Sequence, residues 1–551
     1  MKKSHSILWA KIIGLAVFIC SQQACQHAPI SFTPAQPPNL ANYNDLPVFG
    51  SEKVQLPLSA IVSPQTMSLT TNSFLHQWSL TADSFAQQGH QLYLVGISTQ
   101  TAIANPDIII AAFKQRQKHM ANTQVLTAVQ AACYDSMRFR ASLHSIGISI
   151  NCMATTKLKS ALLWQFWDNQ AVNEVNIATI KRNLKLNKHI GAFTGSEIDL
   201  AFRKQLLGSQ HPYNQNINNN AVIDELTHSS LSALHTELRQ QLQWHLFAPQ
   251  FSPQLTNTKA QTLKANTLKT NSLKTNSSKT QIAQHVTSLP SWLLTEKPDS
   301  SHSAFDSSAQ TSAQTSAKAS AKASAKANTI NSSTVETSTA KDKILYIIDA
   351  PDTVQTQVRI GLVTATATAD ATVQDANTCQ MIAALLGRGY SGRLFYDLRE
   401  VRGLSYGVYG RCVNAPLSQY MYFYGSTALE NSSAFIKGML DHLSLITEQT
   451  ASQNEINATV TYLQGKQQLS LDRPFGKESL YIRQLLSGQT TAEFSQGMSQ
   501  LQQLTPMQLL QQANTLSLTT PIVVLRGDAD KISADLQQKL PTWELRQLEP
   551  D

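Results

Sequence analysis

Arg399 and Tyr406 are the two side chains best placed to do chemistry together. A guanidinium always donates hydrogen bonds, and a phenol keeps its proton at neutral pH. Two donors without a neighbouring base suit a carbonyl or a developing oxyanion; by themselves they do not activate water. The surrounding sequence positions them. Met381, Ile382, Leu385 and Leu386 recur at helical spacing until Gly387 and Gly389 break the pattern. Ser391 is placed to cap a second helix. Leu394, Phe395, Leu398 and Val401 would form its buried stripe, leaving Arg399, Glu400 and Arg402 off it. Gly403 ends this helix, and residues 404–409 read as extended. Arg399 then lies in the last helical turn and Tyr406 on the strand beyond the corner, both aimed at one spot.

The string LLGRGYSGRLFYDLREVRGLSYGVYGRC, residues 385–412, resembles the C-terminal-domain signature of the pitrilysin/insulinase family of zinc peptidases, which includes the mitochondrial processing peptidases. That signature is a glycine-rich turn, S-x-R-L-F and L-R-x-x-x-x-L-x-Y. Here it is Ser391, Arg393, Leu394 and Phe395, then Leu398, Arg399, Leu404 and Tyr406. The resemblance implies that Arg399 and Tyr406 contact substrate in an active site whose zinc sits on another domain.

An active member also carries H-x-x-E-H on a first-domain helix, with a glutamate further on. The two histidines, one turn apart, ligate zinc, and the intervening glutamate serves as base. In this chain that helix is expected at 123–137 (TQVLTAVQAACYDSM), after a strand at 107–113 (DIIIAAF). It holds no histidine and no glutamate, and none of the 14 histidines stands in H-x-x-E-H or H-E-x-x-H. Glu174 lies near where the distal ligand would fall. His211-Pro212-Tyr213 matches a structural element of family first domains, and Asp528 a structural turn. His119, His144 and His189 are isolated. No metal or other cofactor is expected on this chain; zinc is expected on a partner.

The 551 residues suffice for several domains, and 42% hydrophobic content for real cores. The formal charge of +8 is matched by eight lysines in two polar tracts, at 259, 264, 269, 274 and 279 and at 318, 322 and 326. The remainder is near neutral, which argues against nucleic acid. Lys2 and Lys3 followed by a short apolar run read as an export signal over 1–24. Cys25, after Ser21-Gln22-Gln23-Ala24, resembles a lipidation site, with Gln26 after it suiting the outer membrane. Of the remaining cysteines, Cys133 and Cys152 fall in one half and Cys379 and Cys412 in the other. Pairing within each half is the expectation, although spacing does not fix connectivity.

The expected organisation is α+β. A tether at 25–70 leads to a first domain at 71–299, with a five-residue lysine repeat inserted at about 255–281. A low-complexity linker at 300–341 joins this to a second domain at 342–551. The strand and helix order repeats in the two domains, each a mostly antiparallel sheet with packed helices. Two functions fit. One is a non-catalytic, substrate-binding subunit of a two-chain zinc endopeptidase acting on peptides, anchored by lipid at the periplasmic face of the envelope, its partner bearing H-x-x-E-H. The other is a stand-alone peptide- or protein-binding lipoprotein without enzymatic activity.

Overall fold

The computed structural model describes residues 64–78, 91–123, 126–168, 172–215, 220–248, 290–294, 343–366, 373–516 and 518–549. The signal segment, Cys25, the lysine repeat and the linker at 300–341 lie outside the described residues, as does the tether up to 63.

Among the described residues, twelve strands form two six-stranded sheets. The first contains β1 (Gln65–Thr70), β2 (Ser73–Gln77), β3 (Gln91–Ile97), β4 (Arg138–Ala141), β5 (Ser145–Asn151) and β6 (Gln243–Ala248), ordered β1-β2-β6-β3-β5-β4. The second contains β7 (Ile344–Asp349), β8 (Gln355–Thr366), β9 (Ser405–Ala415), β10 (Ser418–Ala428), β11 (Ile522–Gly527) and β12 (Glu544–Leu548), ordered β12-β7-β11-β8-β10-β9. Both sheets are mixed. β2 runs parallel to β6, and β7 runs parallel to β11 and β12; the other neighbours are antiparallel. The two orders correspond strand for strand, so the duplication read from the sequence is a duplication of topology. They differ at one edge: β1 enters from before β2 and runs antiparallel to it, whereas β12 returns from the chain's end and runs parallel to β7.

Three local expectations are corrected. The 107–113 run is not a strand but the start of the helix Pro106–Thr123. Ile108, Ile109, Ala112, Phe113, Arg116 and Met120 are buried along one face, while Lys114 and Lys118 face out. A short apolar run does not by itself separate strand from helix; Pro106 at the first helical position is the start signal. β1 lies within the stretch read as tether and pairs with β2. The run 522–525 reads from sequence as the last strand, whereas β12 follows it at Glu544–Leu548.

Each sheet buries one face under helices of its own half. Leu92, Leu94, Ile146, Ile148 and Ile150 meet Phe113, Phe166 and Trp167 in the first. Val358, Ile360, Met421 and Phe423 meet Leu385, Phe435 and Met439 in the second. The opposite faces are covered reciprocally. The helix Ser196–Leu207 of the first half sets Ile198 and Phe202 against Ile348 and Val524 of the second sheet. Two ion pairs flank it, Asp199 with Arg359 at 2.5 Å and Glu197 with Arg526 at 2.6 Å. In return the helix Gly476–Ser487 of the second half, entered through Phe475, packs Phe475 and Ile482 against Tyr93, Val95, Ile97 and Phe247. The His211-Pro212-Tyr213 element adds a third tie, because the Tyr213 hydroxyl accepts the Leu417 N–H at 3.0 Å between β9 and β10. His144 is buried behind it, with Nε2 2.7 Å from the Tyr213 hydroxyl.

Beneath the Gly476–Ser487 helix, His76 Nε2 and His245 Nδ1 are hydrogen-bonded at 2.8 Å. Thr66 Oγ1 lies 2.9 Å from the far nitrogen of His76, and Gln243 Oε1 lies 3.1 Å from Nε2 of His245. The Tyr481 ring sits 5.1 Å from the His76 ring. Burial lowers His76 to about 4 and His245 to about 3. Both bind protons near pH 6.5 once unfolded. Their depressed folded-state values therefore mean that stability complete above pH 6.5 is lost as pH falls toward 4 and then 3. Urea unfolding at pH 5 should show a loss of about 2 kcal/mol per histidine relative to pH 7, smaller in His76→Gln; equal midpoints at the two pH values would show that the imidazoles are not held neutral.

Disulfides join Cys133 to Cys152 and Cys379 to Cys412, with sequence separations of 19 and 33. Replacing either pair by serines should cost about 3–4 kcal/mol in the urea midpoint analysis, from loop closure in the unfolded chain. An unchanged midpoint would show that the cross-link does not restrain that chain.

Candidate functional site

The helix Val373–Gly387 runs onto β9 with so little clearance that a Cβ on Gly387 would lie 2.1 Å from the Gly410 nitrogen. The Cys379–Cys412 disulfide clamps the same two elements. One turn of α-helix, Arg393–Phe395, then opens directly into a π-helical turn, Tyr396–Val401. Gly403 follows at φ +64°, a conformation that costs a side chain dearly. Its N–H returns to the Arg399 carbonyl at 3.0 Å, and the Leu404 N–H to the Leu398 carbonyl at 2.8 Å. The corner therefore closes its own backbone hydrogen bonds.

Two irregularities set the two functional side chains. The π turn carries Arg399, and such insertions re-aim a helical side chain. On β9, Ser405 pairs with Thr427 and Gly407 with Ser426, so Tyr406 is the extra residue of a β-bulge. The bulge turns its ring outward, leaving Tyr406 82% exposed. The Arg399 guanidinium carbon lies 4.9 Å from the Tyr406 ring centre, 4.7 Å from that of Phe395 and 5.8 Å from that of Tyr390. These aromatic faces hold the cation by its charge; Glu400 lies beside Nε, and the terminal N–H groups are left to donate. Arg399 and Tyr406 thus meet at one spot on the protein surface, alongside Tyr390, which is 75% exposed.

The rest of the motif fixes this arrangement. Arg393 is buried and pairs with Glu455 through both Nε and Nη2, the latter at 2.5 Å from Oε2. Asp397 is buried and accepts from Arg402 Nε at 2.8 Å, with His442 Nε2 at 3.2 Å. Burial lowers the His442 imidazole, and Asp397 opposes that shift. Ser391 does not cap a helix: Gly392 is the N-cap residue, and the Ser391 hydroxyl accepts from Arg388 Nε at 2.8 Å. Val401, expected in the buried stripe, is 56% exposed because the π turn rotates the end of the helix. Glu400 lies 3.4 Å from Arg399 Nε. Phe395 stands four residues before Arg399, a helical spacing that makes them neighbours; Tyr390 as a second wall has no such signal and reaches Arg399 through the glycine turn.

The first half holds a different arrangement where an active family member would carry its zinc helix. Strand correspondence places Pro106–Thr123 and the following helix Ala128–Ser136 between β3 and β4, as Val373–Gly387 and the corner lie between β8 and β9. The long first helix, rather than 123–137, is the counterpart. It reads PDIIIAAFKQRQKHMANT and has one histidine and no glutamate. Glu174 meets Arg116 of that helix at 3.1 Å, so a guanidinium stands beside the carboxylate. Among the described residues no group of three or more His, Cys, Asp or Glu could hold a metal ion. These residues do not fit zinc. Asp528 caps the helix Ala529–Lys539, accepting the Lys531 N–H at 3.3 Å, and has a structural role.

A groove of about 1350 Å³ opens between the helices Pro106–Thr123, Ile177–Thr194 and Ser196–Leu207 and the outer strand β4 of the first half, with Ile348, Leu548 and Glu549 of the second half at its side. It contains no residue of the Arg399 corner.

Residues 313–463 match the family described as "Peptidase M16 inactive domain". No curated protein matches the chain in sequence. Solved structures share its fold. A peptidase M16 inactive domain from Pseudomonas fluorescens aligns with TM-score 0.57 at 16% identity, covering 85% of this chain and 98% of that one. A protease from Helicobacter pylori aligns with TM-score 0.52 at 11% identity, covering 85% and 100%. A chain of Complex III2 from Candida albicans aligns with TM-score 0.54 at 9% identity, covering 87% and 100%. Residues 313–463 thus match the inactive-domain model of the M16 peptidase family, the pitrilysin/insulinase family, and the chain shares the fold of M16-like peptidases.

Proposed function

We propose that this chain is the non-catalytic, substrate-binding subunit of a two-chain zinc endopeptidase, acting on peptides in the cell envelope. The observation that carries this reading is the outward presentation of Arg399 and Tyr406. A π turn and a β-bulge, two local departures from regular structure, hold them together at the surface, yet the chain's own counterpart of the zinc helix has no ligand set. The pair is built to complete a site on another chain. That partner is a member of the same family bearing H-x-x-E-H, and the zinc belongs to it.

In the assembled site the Tyr406 hydroxyl donates a hydrogen bond to the scissile carbonyl as negative charge develops on its oxygen. The Arg399 guanidinium, already oriented by three rings, donates to the neighbouring peptide backbone. β4 hydrogen-bonds only β5 within its sheet, which leaves an edge for an extended peptide to join. The export signal and Cys25 place the complex at the periplasmic face of the outer membrane in this reading.

With the pair co-expressed, Tyr406→Phe should keep the partner bound and lower turnover about 100-fold, on the order of 3 kcal/mol. Turnover equal to that of the parent pair would remove Tyr406 from the chemistry.

A further inference from the structure

We propose that the groove beside β4 selects extended peptides carrying acidic side chains at alternate positions. This rests on the peptide-handling reading above and names its substrate class.

Lys114 and Lys118, from the helix Pro106–Thr123, and Arg182 and Lys188, from the helix Ile177–Thr194, line the groove. None of the four has a hydrogen bond or ion pair among the described residues. Of the acids lining the same groove, Glu197 and Asp199 are already paired with Arg526 and Arg359. Asp107 sits in the first turn of its helix, where it offsets the helix dipole, which leaves Glu549 as the one remaining acid of the lining against the four cations. The groove is left with an excess of positive charge that the fold does not use. Lys114 and Lys118 stand one helical turn apart, and like charges at that spacing disfavour the helix, so no local structural gain accounts for them.

The geometry suits a strand. Four helical residues advance about 6 Å. Alternate residues of an extended chain, which point the same way, are about 6.7 Å apart. A peptide lying along β4 therefore presents successive same-side carboxylates in step with Lys114 and Lys118. Phe139 of β4, Ile110 and the 53%-exposed Leu186 supply apolar floor between the charges. Phe139 is the only aromatic side chain lining the groove, too few to stack the bases of a single-stranded nucleic acid. The chain's own polar tracts carry lysines of the same sign as the groove and do not complement it.

The test is fluorescence anisotropy on the full chain with a labelled extended peptide carrying Glu at alternate positions, its Gln counterpart, and oligothymidylate as competitor. The Glu peptide should bind about tenfold tighter than the Gln peptide, with the gap closing as salt rises. Lys114→Gln with Lys118→Gln and Arg182→Gln should remove the gap and leave the Gln peptide unaffected, with thermal melting checking the fold. The salt dependence of the unaltered protein tests the claim even where that variant does not fold. Equal affinity for both peptides would overturn the acidic preference while leaving peptide binding intact. Binding of neither peptide would overturn the preference together with strand addition at β4. Displacement by oligothymidylate at lower concentration than by the Glu peptide would overturn it in favour of nucleic acid.

Discussion

Each half of this chain supplies the helix that covers the other half's inner sheet face, and the rest of the structure depends on that exchange. A six-stranded sheet with apolar residues on both faces must bury both. Here the outer faces are buried locally, but Tyr93, Val95, Ile97 and Phe247 on one inner face, and Ile348 and Val524 on the other, are buried only through a helix from the far half. Ile198, Phe202, Phe475 and Ile482 carry most of the tie, at roughly 1.5–3 kcal/mol for each large side chain fully buried. The flanking pairs add direction more than energy, because Asp199 is half exposed beside Arg359. The halves are therefore one cooperative body, and both the groove wall at Ser196–Leu207 and the strand bearing Tyr406 are held by it.

On this frame the corner separates positioning from chemistry. Arg393 and Asp397 are buried, the first paired with Glu455 and the second with Arg402 and His442, so their removal would act through the fold. Arg399 and Tyr406 stand at the surface on backbone that is irregular on both sides, and regular helix and strand would not have brought them together. Structural irregularity at exposed donors, with a satisfied frame behind it, is what separates a binding corner from a packing corner.

Much of this was legible in the sequence because it is local. Glycine breaks, helical periodicity and the 385–412 string located the corner, and repeated strand signals gave two halves of one topology. The 107–113 run differs from the expected strand because six apolar residues in succession, Ile108 to Phe113, suit either a buried strand or a buried helix, and Pro106 is the discriminating start signal. The π turn and the bulge left no trace in residue spacing, since each inserts one residue into an otherwise ordinary pattern. The Arg116–Glu174 pair and the unpartnered lysines of the groove depend on contacts between elements far apart in the chain, which periodicity does not report.

The central claim is that the Arg399–Tyr406 pair at the surface completes a site on a second chain. Co-purification of the tagged full-length protein from its native envelope, with zinc analysis and a peptidase assay on the recovered complex, tests it most directly. The account predicts a stoichiometric partner bearing H-x-x-E-H, one zinc per pair, and activity only when both chains are present. A lone, zinc-free and inactive protein that still binds peptides would contradict it and identify the chain as a binding scaffold.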